Sequence, residues 1–308
     1  MNFSEAKSEL KQLLSSVSPS ELPKLLDWIR NSDELDHLLA DNRRVMLRSI
    51  ADDLRARLPL DAMLPSETAA LHKMQQRSRP TVHVDGFLYD DEQVDALCEE
   101  GVMSRTYCLN CGSSRTAPLD FISHSFSASE LQFLFQNVLP DLSGRTLVDV
   151  GSRLGAVLYG GYVYSSASQL IGLELNEEFV RLQNDVLDRY RLKDRVQVLH
   201  ADVCTQDALL HSTDILVMNN VFEYFMEPSE QVRAWRFIMQ NLRKRGSLLV
   251  TVPSLQETYI LLLYSCIFLT MLLLKPGWVE ELPVNCDIYL GREADPDALR
   301  QIHLYQVM

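Results

Sequence analysis

The segment "LVDVGSRLGAVL", residues 147–158, constrains the fold more than any other part of the chain. A short apolar run enters a turn bounded by Gly151 and Gly155, and a second apolar run follows the turn. This order is typical of a buried strand that ends in a glycine turn and continues as a helix. The sequence therefore predicts a strand, a turn and a helix that can hold a nucleotide-like ligand.

Short apolar runs and amphipathic segments alternate beyond residue 129. The apolar runs are residues 147–150, 170–175, 196–200, 215–218 and 247–252. Between them, "NEEFVRLQNDVLDRYRL" and "EQVRAWRFIMQNLRKRG" repeat apolar residues at three- and four-residue steps, as helices do. Such alternation favours right-handed crossovers and a parallel sheet. The predicted fold class is α/β, a doubly wound, Rossmann-like sheet preceded by an N-terminal helical region.

Polar residues follow four of these runs, where a ligand lies in an open parallel sheet. They are Asp149 with Gly151, then Glu174, then Asp202, and finally Asn219 with Asn220. An acidic residue about 20 positions beyond the glycine turn can accept hydrogen bonds from ribose hydroxyls, and Glu174 has that spacing. Helix capping also explains any one of these residues taken alone. The ordered set favours a ribose-containing ligand.

Arg153 stands where a dinucleotide-binding turn has its middle glycine. That glycine lets the backbone approach a pyrophosphate, so its absence disfavours a NAD-linked oxidoreductase. S-adenosylmethionine has no phosphate, and its loop needs space mainly at the two positions that Gly151 and Gly155 fill.

The motifs, in this order, resemble those of class I S-adenosylmethionine-dependent methyltransferases. "LVDVGSRLG" resembles their first motif, "LIGLELN" the ribose-binding motif, "VLHADV" the adenine-flanking motif and "DILVMNNVFEYF" the fourth motif. "LRKRGSLLVTVPS" is similar to the loop and fifth strand of many members. The resemblance covers about residues 129–254. It implies a seven-stranded sheet with a reversed final hairpin, to which "WVEELPV" and "IHLYQVM" contribute the last strands.

The resemblance also implies a set of cofactor-binding residues. Asp149, Gly151, Ser152 and Gly155 would line the methionine part, Glu174 the ribose, and Asp202 with Val203 the adenine. Arg153 departs from the family pattern. Its side chain either folds into the pocket or points to solvent, and we expect it to be a spectator whose change to glycine leaves cofactor binding unchanged or tighter.

The fourth motif supplies the candidate catalytic residues. Asn219 and Asn220 can orient an acceptor amine, while Glu223 or Tyr224 can accept a proton or hold a cation. Alternatively, "NVFEYF" simply opens a helix that Asn220 caps. Residues 151–179 also resemble non-SET histone-lysine methyltransferases of the telomeric-silencing-disruptor type, which favours a protein acceptor. The rival interpretation is a non-catalytic, methyltransferase-like scaffold whose N-terminal helices bind partners.

The charge of the chain limits its partners. Forty-two acidic residues against 29 basic ones give a net charge of −13. This charge repels phosphate backbones, so we expect a basic or neutral substrate and no nucleic-acid partner. The start of the chain resembles neither a secretory signal nor a transit peptide, and the six cysteines lack the spacing of a disulfide scaffold. The expected location is the cytoplasm or the nucleus.

Three regions are predicted along the chain. Residues 1–79 form a helical accessory region, residues 80–128 a β-rich connector, and residues 129–308 the methyltransferase domain. In the connector, Cys108 and Cys111 have the Cys-x-x-Cys spacing that lets both side chains bind one metal ion. Cys98, His83 or His124 would have to complete the four ligands of a structural zinc, and ordinary reduced thiols are the alternative.

Residues 259–274, "YILLLYSCIFLTMLLL", are uncharged and fit no part of this scheme. The run is longer than the usual buried helix and shorter than the roughly 20 apolar residues of a membrane span. A span would pull the last strands away from the sheet, so we expect a buried or membrane-contacting helix. Membrane association through this segment stays the alternative location.

Overall fold

The computed structural model describes residues 3–31, 33–74, 80–110, 114–222, 225–258, 277–288 and 296–308. The chain divides into two compact units, residues 1–46 and 47–308. The first unit contains helices α1 (Phe3–Ser16) and α2 (Leu22–Asn31) and the first part of α3 (Asp33–Arg55). This part of the chain is helical, as its three- and four-residue periodicity predicts.

The second unit begins within α3, whose buried Leu47, Ile50 and Leu54 lie at three- and four-residue steps along one face. Helix α4 (Pro65–Met74) follows, with a proline at its first position, where no intrahelical N–H is needed. The next segment contains the short strands β1 (Thr81–His83), β2 (Thr106–Cys108), β3 (Thr116–Pro118) and β4 (Asp120–Ile122), and helix α5 (Asp91–Glu99). β1 pairs with β4 and β2 with β3, in two small sheets.

Seven strands of the described residues form the main sheet. They are β5 (Thr146–Val150), β6 (Gln169–Glu174), β7 (Val196–His200), β8 (Ile215–Asn219), β9 (Leu248–Val252), β10 (Val279–Leu282) and β11 (His303–Val307). Their order is β10-β11-β9-β8-β5-β6-β7. The five strands from β5 to β9 are parallel, whereas β11 is antiparallel to both β9 and β10. The central strands β5, β8 and β9 are mostly apolar and almost entirely buried, as in parallel sheets that are covered on both faces.

The helices around this sheet begin at sequence signals that can be recognised locally. They are α6 (Ala128–Phe133), α7 (Ala156–Tyr164), α8 (Glu177–Tyr190), α9 (Asp207–Ser212), α10 (Pro228–Asn241) and α11 (Pro296–Arg300). Ser127 and Glu130 form a capping box at α6, and the Asn176 side chain accepts a hydrogen bond from Glu178 N–H at α8. Because β5 to β8 are parallel, their carboxyl ends lie along one edge of the sheet.

The structure confirms the predicted fold class, including the reversed final hairpin formed by "WVEELPV" and "IHLYQVM". The boundaries at residues 79 and 128 stay predictions, although the compact unit that holds the sheet already begins at Leu47. Residues 259–274 lie outside the described residues. Among the residues that are described, no helix is both long and apolar enough to cross a bilayer. Membrane contact and a cytoplasmic or nuclear location also stay predictions.

Candidate active site

The turn after β5 requires glycine at position 151. Gly151 has a φ of +67°, in the left-handed region that favours glycine. The N–H groups of Gly151 and Ser152 both donate to the carbonyl oxygen of Leu173, at 2.8 and 3.0 Å, and so fasten the turn to the end of β6. A Cβ atom at position 151 would lie 2.8 Å from Cγ1 of Val221. A larger residue would therefore have to displace the loop that follows β8.

The rest of the turn is tightly packed under the start of α7. Gly155 has a φ of +85°, and its N–H donates to the carbonyl oxygen of Ser152 at 2.6 Å. A Cβ atom at Gly155 would lie 2.6 Å from the hydroxyl oxygen of Tyr159. Ser152 is buried, and a Cβ atom at Gly172 would lie 2.7 Å from its Oγ. Left-handed backbone conformation and close packing together explain both glycines of the motif.

Two buried carboxylates lie at the ends of β5 and β6. Glu174 Oε2 accepts a hydrogen bond from the backbone N–H of Arg153, and Oε1 accepts one from the N–H of Asn176, both at 2.8 Å. Burial raises the pKa of Glu174, and these backbone hydrogen bonds offset part of the rise. Each carboxylate oxygen has a second lone pair, so Glu174 can still accept hydrogen bonds from a ligand. Burial, and then the charge of Glu174, raise the pKa of Asp149 well above its usual range.

Asp149→Asn should raise the midpoint of thermal unfolding at pH 7. A carboxyl group whose pKa is raised by folding costs stability as the pH rises above about 4, its ordinary pKa in an unfolded chain. The asparagine has no such cost, so the gain should be present at pH 7 and nearly absent at about pH 3, where Asp149 is mostly protonated in both states. Unfolding midpoints of the variant and the wild type at the two pH values test this expectation.

Asp214 provides a control of opposite sign. Burial alone would raise the pKa of Asp214, but hydrogen bonds from Lys244 and from the Thr146 N–H outweigh it and lower the pKa. A lowered pKa contributes stability above the unfolded value, and this contribution is lost as the pH falls. Asp214→Asn should therefore lower the midpoint at pH 7. A midpoint that falls at pH 7 in Asp149→Asn as well would contradict the assignment of a raised pKa to Asp149.

Arg153 is buried, and its side chain makes four hydrogen bonds. Its Nε donates to Glu67 Oε1 at 2.8 Å, its Nη1 to Asp85 Oδ2 at 2.7 Å, and its Nη2 to the carbonyl oxygen of Ala62 at 2.6 Å and to Glu67 Oε2 at 3.3 Å. The guanidinium also lies 5.3 Å from the ring centre of Phe179. Arg153 has a φ of +45°, which is uncommon for a residue other than glycine.

Arg153 is therefore not a solvent-facing side chain, and its expected role as a spectator in cofactor binding stays a prediction. Of the two arrangements open to its side chain, the structure has the buried one, in which an ion pair links it to Glu67 and to Asp85. Burial alone would lower the pKa of Arg153, but the charges of Asp85 and Glu67 raise it above its ordinary value. The residue that departs from the family pattern is thus a charged group held among carboxylates.

The ends of β7 and β8 complete the row of polar residues. Asp202 Oδ1 accepts a hydrogen bond from the N–H of Cys204 at 2.8 Å and caps a short 3-10 turn that begins at Val203. Asn220 has a φ of +50°, and its N–H donates to the carbonyl oxygen of Val252 at 2.7 Å. Its side-chain amide donates to Asn219 Oδ1 at 3.2 Å. Asn220 therefore has a left-handed backbone and not the extended backbone of an N-cap residue, and neither Val221 nor Phe222 is helical.

These strand ends border a cleft of about 270 Å³, near the lower end of the roughly 300–1,000 Å³ that small-molecule sites occupy. Six of the predicted site residues line it: Gly151, Glu174, Asp202, Val203, Asn219 and Asn220. Asp149, Ser152 and Gly155 are buried behind the lining residues and do not border the described cleft.

The cleft also has walls that the sequence analysis missed. They include Ser66, Glu67, His124, Arg153, Asn176, Phe179, Phe225 and Met226. Ser66 and Glu67 lie more than 80 residues before the glycine turn, in a segment whose only sequence signal is that of a helix start. No local pattern relates them to the site.

Some predicted residues cannot be placed. Glu223, Tyr224 and Cys111 lie outside the described residues. Cys108 is exposed, and Nδ1 of His83 lies 2.9 Å from Nε2 of His124. Within the described part of the chain, no group of three or more metal-ligating side chains is close enough to hold a metal ion. The structure thus gives no support to a structural zinc.

The comparison with known families agrees with this geometry. Residues 148–250, about a third of the chain, match the family described as a methyltransferase domain. The match begins in β5 and ends in β9, so it covers most of the five parallel strands and the residues that line the cleft, except Ser66, Glu67 and His124. This match agrees with the resemblance of the motifs in residues 147–254 to class I methyltransferases.

Some solved methyltransferase structures are weakly similar to this chain. One is an RNA methyltransferase from Salinibacter ruber in complex with S-adenosyl-L-homocysteine, with a TM-score of 0.32 and 15% identity over 41% of this chain and 73% of that one. Another is a precorrin-6y C5,15-methyltransferase from Geobacter metallireducens, with a TM-score of 0.35 and 14% identity over 50% and 73%. No curated protein matches in sequence.

Proposed function

We propose that the cleft binds S-adenosylmethionine with Glu174 on the ribose, Gly151 beside the methionine part, and Asp202 with Val203 beside the adenine. The observation that carries this proposal is the position of Glu174. It lies at the end of β6, is only 8% exposed, and borders the cleft next to the glycine turn. A buried carboxylate with free lone pairs is suited to hold the two hydroxyls of a ribose.

Asp149 and Ser152, which lie behind the lining, would then support the methionine end of the loop and not contact the cofactor directly. Gly155 would have the same supporting role, since its left-handed backbone starts α7. The residues present fit the cofactor, because the donor and acceptor groups lie at one edge of the sheet and apolar side chains flank them.

The bound cofactor would supply a methyl group on a positively charged sulfur. Transfer to an acceptor is a direct displacement, so the protein's contribution is to position both reactants and to exclude water. Phe222, Phe225 and Met226 line the cleft beyond Asn220 and give this end an apolar surface. In the transition state the positive charge of the sulfur is spread over the reacting atoms, and the sulfur of the product is neutral. An apolar surface favours this dispersal of charge.

We further propose that the acceptor is an amine of a protein. The carbonyl oxygens of the Asn219 and Asn220 side chains can accept hydrogen bonds from an amine and so orient its lone pair. The net charge of −13 favours a basic acceptor and repels the phosphates of RNA or DNA. Glu223 and Tyr224, next in the chain, stay candidate groups for the proton that the amine loses.

Glu174→Ala should weaken the affinity for S-adenosylmethionine by a factor on the order of ten to one hundred. The change removes hydrogen bonds to a charged acceptor, which are worth about 1.5–3 kcal/mol. Calorimetric titration of the variant and of the wild type with S-adenosylmethionine and S-adenosylhomocysteine measures the difference.

Glu177→Ala is the matched control, because Glu177 is an exposed residue of α8 that pairs only with Arg181 among the partners described. Its affinity should equal that of the wild type. Equal affinity in Glu174→Ala would overturn the ribose assignment. If the wild type itself releases no heat with either ligand, the scaffold interpretation is the better one.

The acceptor class is tested with a labelled methyl donor. Purified methyltransferase should transfer label from S-adenosylmethionine to a cell extract, and protease treatment should release that label while ribonuclease treatment should not. Label that is lost only with ribonuclease would contradict the protein acceptor. An absence of transfer, in a chain that binds the cofactor, would favour the non-catalytic scaffold.

A further inference from the structure

The first turn of α4 forms part of the cleft wall although it lies far outside the matched domain. Ser66 and Glu67 line the cleft on the side of Asn176. The Asn176 side-chain amide donates to Ser66 Oγ at 2.8 Å. Glu67 Oε2 accepts a hydrogen bond from the N–H of Leu64 at 3.1 Å, which closes the turn on itself. We call residues 64–67 the α4 turn.

Arg153 joins the α4 turn to the cofactor loop. Its guanidinium binds Glu67 and the carbonyl oxygen of Ala62, while its backbone N–H donates to Glu174. One residue therefore contacts the α4 turn with its side chain and the ribose carboxylate with its backbone. Arg153 therefore connects the α4 turn to the peptide unit that donates to Glu174.

A third segment fixes the other side of the guanidinium. Asp85 Oδ2 accepts hydrogen bonds from Arg153 and from Ser125 Oγ, the latter at 2.6 Å. Asp85 Oδ1 accepts one from the N–H of Phe87 at 3.0 Å. Asp85 is thus itself rigidly held, and it provides a fixed anchor for Arg153.

The hydrogen bonds of Arg153 distinguish a positioning role from direct cofactor binding. Four of the five guanidinium N–H groups have acceptors within the protein. The positive φ of Arg153 is a costly conformation, and such conformations persist where the surroundings over-determine them. The side chain is therefore used to hold the loop in shape.

We propose that the α4 turn closes the ribose end of the cofactor cleft and that Arg153 is the positioning residue that couples it to Glu174. This inference rests on the proposed cofactor role of Glu174. It assigns Ser66 and Glu67 to the cofactor site, so that residues upstream of the matched domain determine cofactor affinity.

The test uses the full chain with Arg153→Lys and Glu67→Gln. Lysine keeps the charge but cannot reproduce the forked hydrogen bonds, and glutamine keeps the shape but loses the charge. Each variant should bind S-adenosylmethionine about tenfold more weakly than the wild type, in calorimetric titration. The double variant should lose little more than either single one, because both remove the same contact.

Amide hydrogen exchange adds a readout that a merely structural role would not change. In the wild type, S-adenosylmethionine should slow exchange in residues 64–67, because coupling between two sites is reciprocal. In Arg153→Lys, the cofactor at saturating concentration should no longer slow exchange there. Without any ligand, exchange in the cofactor loop, residues 151–155, should already be faster in Arg153→Lys than in the wild type.

Arg105→Lys is the control, because Arg105 pairs with the exposed Asp95 and does not border the cleft. Its affinity and exchange should equal those of the wild type. Wild-type affinity in folded Glu67→Gln and Arg153→Lys would overturn this inference and leave the proposed function intact. A wild-type chain that binds no S-adenosylmethionine would overturn both, and unchanged loop exchange without ligand would refute the positioning role separately.

Discussion

Arg153→Met lowers the free energy of unfolding by about 3–5 kcal/mol, the usual cost of removing one partner from a buried ion pair. The side chains of Asp85 and Glu67 are 1% and 11% exposed, so the Asp85 carboxylate would be left buried, and the Glu67 carboxylate largely buried, beside an apolar residue. The Ala62 carbonyl oxygen would also lose its hydrogen bond from the guanidinium. Urea unfolding of the wild type and the variant, followed by circular dichroism at pH 7, measures the loss.

Two further variants show whether the loss comes from the unpaired carboxylates. Adding Glu67→Gln and Asp85→Asn to Arg153→Met should recover part of the stability, since neutral amides are less costly to bury than unpaired charges. Arg105→Ala breaks an exposed pair, with side chains 46% and 62% exposed, and should cost at most about 1 kcal/mol. A loss in Arg153→Met no larger than that of Arg105→Ala would contradict the burial of a tight ion pair.

Gly151→Val should abolish measurable binding of S-adenosylmethionine, a loss of affinity of at least about a hundredfold. A valine side chain needs space that Val221 occupies, since Cβ alone would lie 2.8 Å from Cγ1 of that residue. It also has to adopt a φ of +67°, where a β-branched residue is strained. The turn would have to shift away from the end of β6, where Glu174 lies. Calorimetric titration of the folded variant gives the result.

Gly144→Val separates the effect of backbone strain from the effect of the clash with Val221. Gly144 has a similar φ of +75°, but a Cβ atom there would meet no described atom within 4 Å. This variant should lose stability through backbone strain and keep the affinity of the wild type. If Gly151→Val also binds S-adenosylmethionine normally, the glycine turn does not shape a cofactor site.

The sheet could be predicted in detail because its signals are local. The run predicted at residues 196–200 has the same bounds as β7 in the structure. The run predicted at residues 147–150 begins one residue later than β5. The predicted helix at "EQVRAWRFIMQNLRKRG" begins two residues earlier, since Pro228 occupies its first turn, and ends at Asn241. Buried parallel strands need apolar residues throughout, and glycine turns need their glycines, so periodicity and spacing reveal both.

The order of polar residues at the strand ends was also sufficient to predict which residues meet. Gly151, Glu174, Asp202 and Asn219 come from four different strand ends, yet all line one cleft. The reason is geometric, because parallel strands place their carboxyl ends at one edge of a sheet. The sequence could not show that Asp149 lies behind this edge. The strands on the two sides of β5, β8 and β6, cover this residue, and β8 is distant from it in the chain.

The sequence by itself determined the parallel sheet, the glycine turn and the position of Glu174, because each depends on residues close together in the chain. Only the tertiary structure decided the role of Arg153. Its partners Glu67 and Asp85 lie 86 and 68 residues upstream, in segments with no motif in common with the turn. A charged side chain next to a glycine turn is stable in the interior only where opposite charges are brought to it, and folding alone brings them there.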